Sequence, residues 1–322
     1  MRRLISPSWR RFSICAAVAL TGVTAFAQPA ADESTFRVDT RLVVLHASVV
    51  DKSGKLVTNL GQTAFKVFEN GSEQPIKIFR REDVPVSMGI LIDDSGSMRE
   101  KRARVAASAL ALVKASNPQD EVFIVNFNDE AYLDQPFTND INKLQDALQK
   151  IDSRGGTAMR DAIGMSIDYM KDKAKKDKKV ILVVTDGNDT ASTETLEKLV
   201  AKARQSEVLI YAIGILGEEE PRESKKAQRA LKALTEASGG MVFYPKLLPE
   251  VEKMSLDVAH DIRNQYTIAY SPVISALDGT FRQIKVTVNG PGRPTVRTRN
   301  GYYATPDQPK HTKLSEAKAP SE

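Results

Sequence analysis

Ser87-Met88-Gly89-Ile90-Leu91-Ile92-Asp93-Asp94-Ser95-Gly96-Ser97-Met98 is the stretch that decides how this 322-residue chain folds. An almost unbroken apolar run stops at two aspartates, and a helical pattern begins a few residues later. A strand reads this way when it is buried on both faces, as in a parallel sheet covered by helices on each side. The residues that follow support such a sheet. Helical spacing over 99–116 passes through Val105, Ala109, Leu112 and Val113, and Asn117-Pro118 stops it. Strands over 121–128 and 132–138 flank Asn128-Asp129-Glu130 and predict an antiparallel hairpin at one edge. Helices over 141–151 and 158–173, a buried strand over 180–185 and a helix over 193–206 come next. A strand over 208–215, a helix over 223–237, a strand over 241–244 and a helix over 249–262 complete the alternation. The expected architecture of 86–262 is therefore a doubly wound, mostly parallel α/β sheet.

Outward from this unit the pattern is all β. On the N-terminal side, 37–84 holds an alternating strand beginning at Arg41, with a turn at Asp51-Lys52-Ser53-Gly54. Two short runs, 65–69 and 74–79, flank Asn70-Gly71, the strongest short signal for a type I′ hairpin, which needs positive φ at both central residues. On the C-terminal side, 263–304 holds strands over 265–270, 281–288 and 295–303. A lone hairpin is marginal in water, so the two segments are expected to form one small β-sandwich-like domain into which the α/β unit is inserted. Residues 305–322, rich in Pro, Lys, Glu and Ser, read as a disordered tail. The lysine-rich stretch 171–179 reads as a solvated helix end.

Residues 1–27 carry Arg2, Arg3, Arg10 and Arg11, an apolar run over 12–26 and a closing Ala25-Phe26-Ala27, which is the pattern of a cleaved export signal. The apolar run is shorter than the ~20 residues of a membrane helix, so no membrane span is expected in the mature chain, and the location is periplasmic or extracellular. The formal charge is +5, and the four leader arginines leave +1 for the rest. A nearly neutral chain without a basic patch excludes nucleic acid as an expected partner. The only cysteine, Cys15, lies in the leader, so no disulfide or thiolate site is expected in the mature protein.

The chemistry concentrates where the first buried strand ends. In open α/β sheets, ligands bind at the carboxyl ends of strands, where neighbouring loops converge. Gly155-Gly156-Thr157, before a helix, and Thr185-Asp186-Gly187, after a strand, reach the same edge. The three loops supply hydroxyl and carboxylate oxygens with no imidazole or thiolate, a donor set for a hard cation such as Mg²⁺ or Mn²⁺. In an extended or turning segment Asp93, Ser95 and Ser97 project to one side while Asp94 and Gly96 face away. Asp94 is then a solvated or capping acid. Hydroxyls are neutral, so an ion held mainly by Ser95, Ser97 and Thr157, with Asp93 and Asp186 acting largely through water, keeps positive charge for an outside carboxylate.

These residues resemble the metal-ion-dependent adhesion site of the von Willebrand factor A family. Asp93-x-Ser95-x-Ser97 matches its DxSxS motif, Thr157 the threonine of its second loop and Asp186 the aspartate of its third. The resemblance covers about 86–262 and implies a doubly wound sheet with one antiparallel edge strand. It also implies ligand binding completed by a partner's Glu or Asp. The flanks, with Phe281-Arg282-Gln283-Ile284 and Arg299-Asn300-Gly301-Tyr302-Tyr303, look similar to bacterial members of the kind common in acidobacteria.

Asp-Ser-Gly clusters also make ordinary turns, so a turn without an ion is the plain alternative. His46, His260 and His311 lie in separate regions and read as structural or surface groups. No base accompanies Ser95 or Ser97, which argues against a nucleophilic serine. The expected function is a non-enzymatic, metal-dependent module for a protein or peptide partner that supplies an acidic side chain. The alternatives are a metal-dependent hydrolase acting on phosphate esters and a passive structural envelope component.

Overall fold

The computed structural model describes residues 42–81, 83–150, 153–217 and 221–306. All of these fall within one unit, Thr40–Glu322. The expected leader with Cys15, and the tail beyond residue 306 with His311, lie outside the described residues.

The chain begins with β1 (Val43–Val50), β2 (Phe65–Glu69), β3 (Ser72–Gln74) and β4 (Ile76–Arg80). It then enters the α/β unit through β5 (Val86–Asp93), α1 (Arg102–Ala115), β6 (Glu121–Phe127), β7 (Ala131–Thr138), α2 (Ile141–Leu148) and α3 (Met159–Lys173). β8 (Lys178–Thr185), α4 (Leu196–Ser206), β9 (Leu209–Gly214), α5 (Pro221–Ser238), β10 (Val242–Phe243) and α6 (Glu250–Arg263) finish that unit. β11 (Tyr266–Tyr270), β12 (Phe281–Val288), β13 (Thr295–Arg297) and β14 (Gly301–Tyr303) follow.

The central sheet has the order β10-β9-β8-β5-β6-β7, with every pairing parallel except the β6–β7 edge. This is the doubly wound sheet that the strand–helix alternation predicts. Every residue of β5 is buried, because the strand lies in the middle of the sheet under helices on both faces. Met88, Ile90 and Ile92 pack with α1, α2 and α6, while Leu91 points the other way into a core shared with α3, α4 and α5.

The flanking segments form two four-stranded antiparallel sheets, β13-β1-β11-β4 and β14-β12-β2-β3. Val43, Leu45, Tyr266 and Ile268 from the first share a core with Phe65, Val67, Ile284 and Val286 from the second. Neither segment would bury a face alone, and together they make a sandwich. Arg80, at the end of β4, is paired with Thr267 in β11, so the α/β unit leaves and rejoins the sandwich at neighbouring points. The hairpin turn is as expected, with φ of 47° at Asn70 and 85° at Gly71.

Four local readings differ from expectation. The run 74–79 is broken at Pro75, which has no N–H to donate and fixes φ, and its halves join different sheets. The run 295–303 is likewise two strands, with 298–300 crossing from β1's sheet to β12's. The helix expected from residue 99 begins at Arg102, because a 3-10 turn over Gly96–Met98 and the residues after it redirect the chain. The lysine-rich stretch 171–179 is not wholly solvated: Lys178 starts β8, is 4% exposed and donates its ammonium to the Ile262 carbonyl.

Gly89 shows how tightly the central strand is held. A Cβ there would stand 2.3 Å from Cζ of Phe123, a fully buried ring packed edge-on to Phe137 and Tyr169. Gly89→Ala is therefore expected to cost about 1–3 kcal/mol in urea denaturation. A loss below about 0.5 kcal/mol would mean that the ring has room to move and that this packing is not limiting.

Candidate functional site

Asp93 is the last residue of β5 and is fully buried. Because Ile92 pairs with Val184 in the parallel β5–β8 register, the next residues along, Asp93 and Thr185, meet where both strands end. Asp93 Oδ2 accepts the Thr185 hydroxyl at 2.5 Å, and Oδ1 accepts the Ser95 N–H at 2.9 Å. Burial pushes the Asp93 carboxyl up to about 6, against the pull of its Ser95 and Thr185 hydrogen bonds. From Ser95 a line of oxygens continues. Ser95 Oγ lies 3.2 Å from Ser97 Oγ, and Ser97 Oγ donates to Asp186 Oδ1 at 2.8 Å. The other oxygen of Asp186 receives the Lys101 ammonium at 2.5 Å.

The second loop lies against the first through its backbone. Gly96 N–H donates to the Gly155 carbonyl at 3.2 Å, and Arg154 N–H donates to the Asp94 carbonyl at 3.0 Å. Gly155 has a φ of 70°, and a Cβ on it would stand 2.0 Å from Asp129 Oδ2. Asp129 uses that space to accept the Gly156 N–H at 2.7 Å, which pins the loop. Thr157, buried at 5% exposure, donates its N–H to Thr190 Oγ1, and its carbonyl accepts the N–H groups of Thr190 and Ala191. Four of the five expected residues, Asp93, Ser95, Ser97 and Asp186, thus belong to one hydrogen-bonded line. Among the described residues no hydrogen bond joins Thr157 to those four; loop packing brings it to the same edge.

Asp94 faces away from this line, as the alternation of side chains requires, but it is not solvated. It is 5% exposed, accepts the Ser153 hydroxyl at 2.7 Å and pairs with Arg102 Nε at 3.4 Å. Arg102 is fully buried and also donates to Asn126 Oδ1 at 2.6 Å and to the Leu148 carbonyl at 3.3 Å. Apolar spacing along the helix does not point to Lys101 or Arg102. Their signal was position: four and five residues past Ser97, within one turn of the acidic loop.

The site offers only oxygen donors, most of them hydroxyls. Among the described residues no group of three or more His, Cys, Asp or Glu is arranged to hold a metal. A cage of soft or multiply charged ligands is therefore not what this loop builds. It builds a hydroxyl-rich, weakly charged edge, and the Lys101 ammonium shows that a positive charge is accommodated beside Asp186 and Ser97. Ser95, Ser97 and Asp186 thus suit a hard cation by chemistry and placement. His46 lies near Thr267, and His260 is exposed beside Asn264, both away from the site.

Residues 88–188 match the family model described as von Willebrand factor type A domain. The resemblance read from the motif thus holds over these residues, which include Asp93, Ser95, Ser97, Thr157 and Asp186. Integrin alpha-11 of Mus musculus is 33% identical over 106 residues, which cover 31% of this chain and 9% of that protein. A solved von Willebrand factor type A structure from Catenulispora acidiphila is similar with a TM-score of 0.49 and 14% identity, over 84% of this chain and 76% of that one. The vWF domain of the type V pili tip protein Mfa5 from Porphyromonas gingivalis gives 0.46 and 14%, over 56% of this chain and 97% of that one.

The buried Asp93 carboxylate makes a pH prediction. Its value rises from 3.8 to about 6 on folding, so between those two pH values the folded protein holds more protons than the unfolded one. Stability in chelator should fall as pH rises through that window and stay low above it. Asp93→Asn can accept the Ser95 N–H through its amide oxygen and donate its amide N–H to the Thr185 hydroxyl without the charge, so it should flatten the profile and raise the thermal midpoint above pH 6. Calorimetry across that range tests this. Parallel profiles for wild type and variant would mean that Asp93 is not the group responsible.

Proposed function

We propose that the von Willebrand factor type A domain of this chain is an exported binding module that engages a protein or peptide partner through a divalent cation, Mg²⁺ or Mn²⁺. Ser95, Ser97 and Thr157 would hold the ion, with Asp93 and Asp186 in support. The observation that carries this reading is the line Ser95–Ser97–Asp186–Lys101: hydroxyls and one carboxylate at the carboxyl ends of parallel strands, already accommodating a positive charge. When bound, the cation supplies a Lewis-acidic position for a carboxylate oxygen of the partner.

The chain's own residues account for the remainder. Asp93 fixes the turn by accepting the Ser95 N–H and is itself held by Thr185. Asp186 orients the Ser97 hydroxyl. Three neutral hydroxyls leave much of the ion's charge uncompensated, which favours an acidic group from outside. Among the described residues the carboxylate that accepts a serine hydroxyl here, Asp186, is itself held by Lys101 on its other oxygen, which supports binding over hydrolysis. The likeness to part of an integrin supports the same reading, and the leader-like N-terminus supports export.

The test pairs calorimetry with capture from an envelope extract. Mg²⁺ or Mn²⁺ should raise the thermal midpoint of the wild type and not of Asp93→Ala, because a ligand stabilises only the state that binds it. Partner retention should be lost in chelator and in Asp93→Ala. Equal midpoints at all ion concentrations, with capture that survives chelator, would contradict the proposal. Turnover on a phosphatase and esterase panel that Asp93→Ala abolishes would replace it with the hydrolase reading.

A further inference from the structure

At the opposite end of the parallel strands lies a cavity of about 320 Å³ between the α/β unit and the sandwich. β8 begins there at Lys178 and ends at Thr185, so the cavity is about 23 Å along the strand from the site described above. Its walls are apolar where Val44, Val84 and Leu209 line it, and its lysines and arginines, Lys176, Lys178 and Arg299 among them, outnumber its two carboxylates, Asp177 and Glu207. Volume and lining suit a small molecule with an apolar body and one polar anchor.

Two buried cations, Arg299 and Lys178, line this cavity, and the first is incompletely satisfied. Arg299 is 6% exposed, and its Nη2 donates to the Val44 carbonyl at 3.0 Å and approaches Glu207 at 3.4 Å. Its Nε and Nη1, and Oγ1 of the adjacent Thr298, are buried without a hydrogen-bond partner among the described residues. Buried donors are rarely left unpaired, and an unmade bond to a charged group is costly. Lys178 donates to the Ile262 carbonyl, and burial pushes its ammonium down to about 8 against the pull of Asp261, Asp83 and Asp120.

The close approach that builds this corner is itself specified. Gly239 ends α5 with a φ of 88°, and a Cβ on it would stand 2.4 Å from the Arg299 backbone nitrogen. A glycine is therefore needed for the 298–300 crossing to seat Arg299 at the cavity. We infer that this cavity binds a small organic carboxylate with an apolar body, its carboxylate meeting Arg299 and Lys178 and its body lying along Val44, Val84 and Leu209. This site is independent of the cation-dependent one and goes beyond the proposed binding function.

Isothermal titration of the full chain with octanoate, against octanamide and inorganic phosphate, tests the inference. Octanoate should bind at one site, with the neutral amide and the bodiless phosphate each weaker by about tenfold or more. Val84→Trp, which fills the cavity from a loop, and Lys176→Glu, which reverses a charge on its wall, should each weaken octanoate by about tenfold with the thermal midpoint retained. Arg299→Gln should do the same, and the first two variants decide the question if it does not fold. No saturable octanoate binding, equal binding of octanamide, equal binding of phosphate, or affinity unchanged by Val84→Trp would each overturn the inference.

Discussion

The hydrogen bond from the Thr185 hydroxyl to the buried Asp93 carboxylate is the contact on which the site depends. It joins the ends of two central strands, and from it the Ser95 turn hangs on one side and Asp186 on the other. The carboxylate is expensive to bury, which is why its protonation is shifted upward. An apolar residue at the end of β5 would have been cheaper to bury.

Two buried or half-buried ion pairs keep the acidic loop from collapsing. Arg102 answers Asp94 behind the loop, and Lys101 answers Asp186 in front of it. Breaking a buried pair by removing one partner costs about 3–5 kcal/mol, so Arg102 is a structural cation that the loop cannot spare. Lys101, a third exposed, is different in kind. It sits beside exposed Ser97, where the oxygen line opens to solvent. The same feature separates the two cation positions by role: one braces the turn and the other marks the opening.

Much of this is legible in the amino-acid sequence, for a physical reason. A strand buried on both faces reads as an unbroken apolar run, so β5 and β8 declare themselves, and ligand-bearing loops in such sheets fall at strand ends. Hence Asp93, Ser95, Ser97 and Asp186 were placed together from the sequence. What escaped depends on partners distant in the chain. Nothing local to Lys178 tells that β8 starts there under the Ile262 carbonyl, and nothing local to 298–300 tells that the chain changes sheets. Side-chain alternation says that Asp94 faces away from the oxygen line but not that Arg102 waits there to pair with it. Pro75 could have been read as a break, since proline interrupts a strand ladder wherever the missing N–H is needed.

The proposed function requires that the Ser95–Ser97–Asp186 line take a hard cation in competition with the Lys101 ammonium. The most direct measurement is a Mn²⁺ titration followed by electron paramagnetic resonance, on the wild type, Ser97→Ala and Lys101→Met. The account predicts one bound Mn²⁺ per chain in the wild type, none in Ser97→Ala, and binding tighter by about threefold or more in Lys101→Met, where the competing charge is gone. Absence of bound Mn²⁺ in the wild type at about millimolar ion, or affinity indifferent to both substitutions, would contradict it.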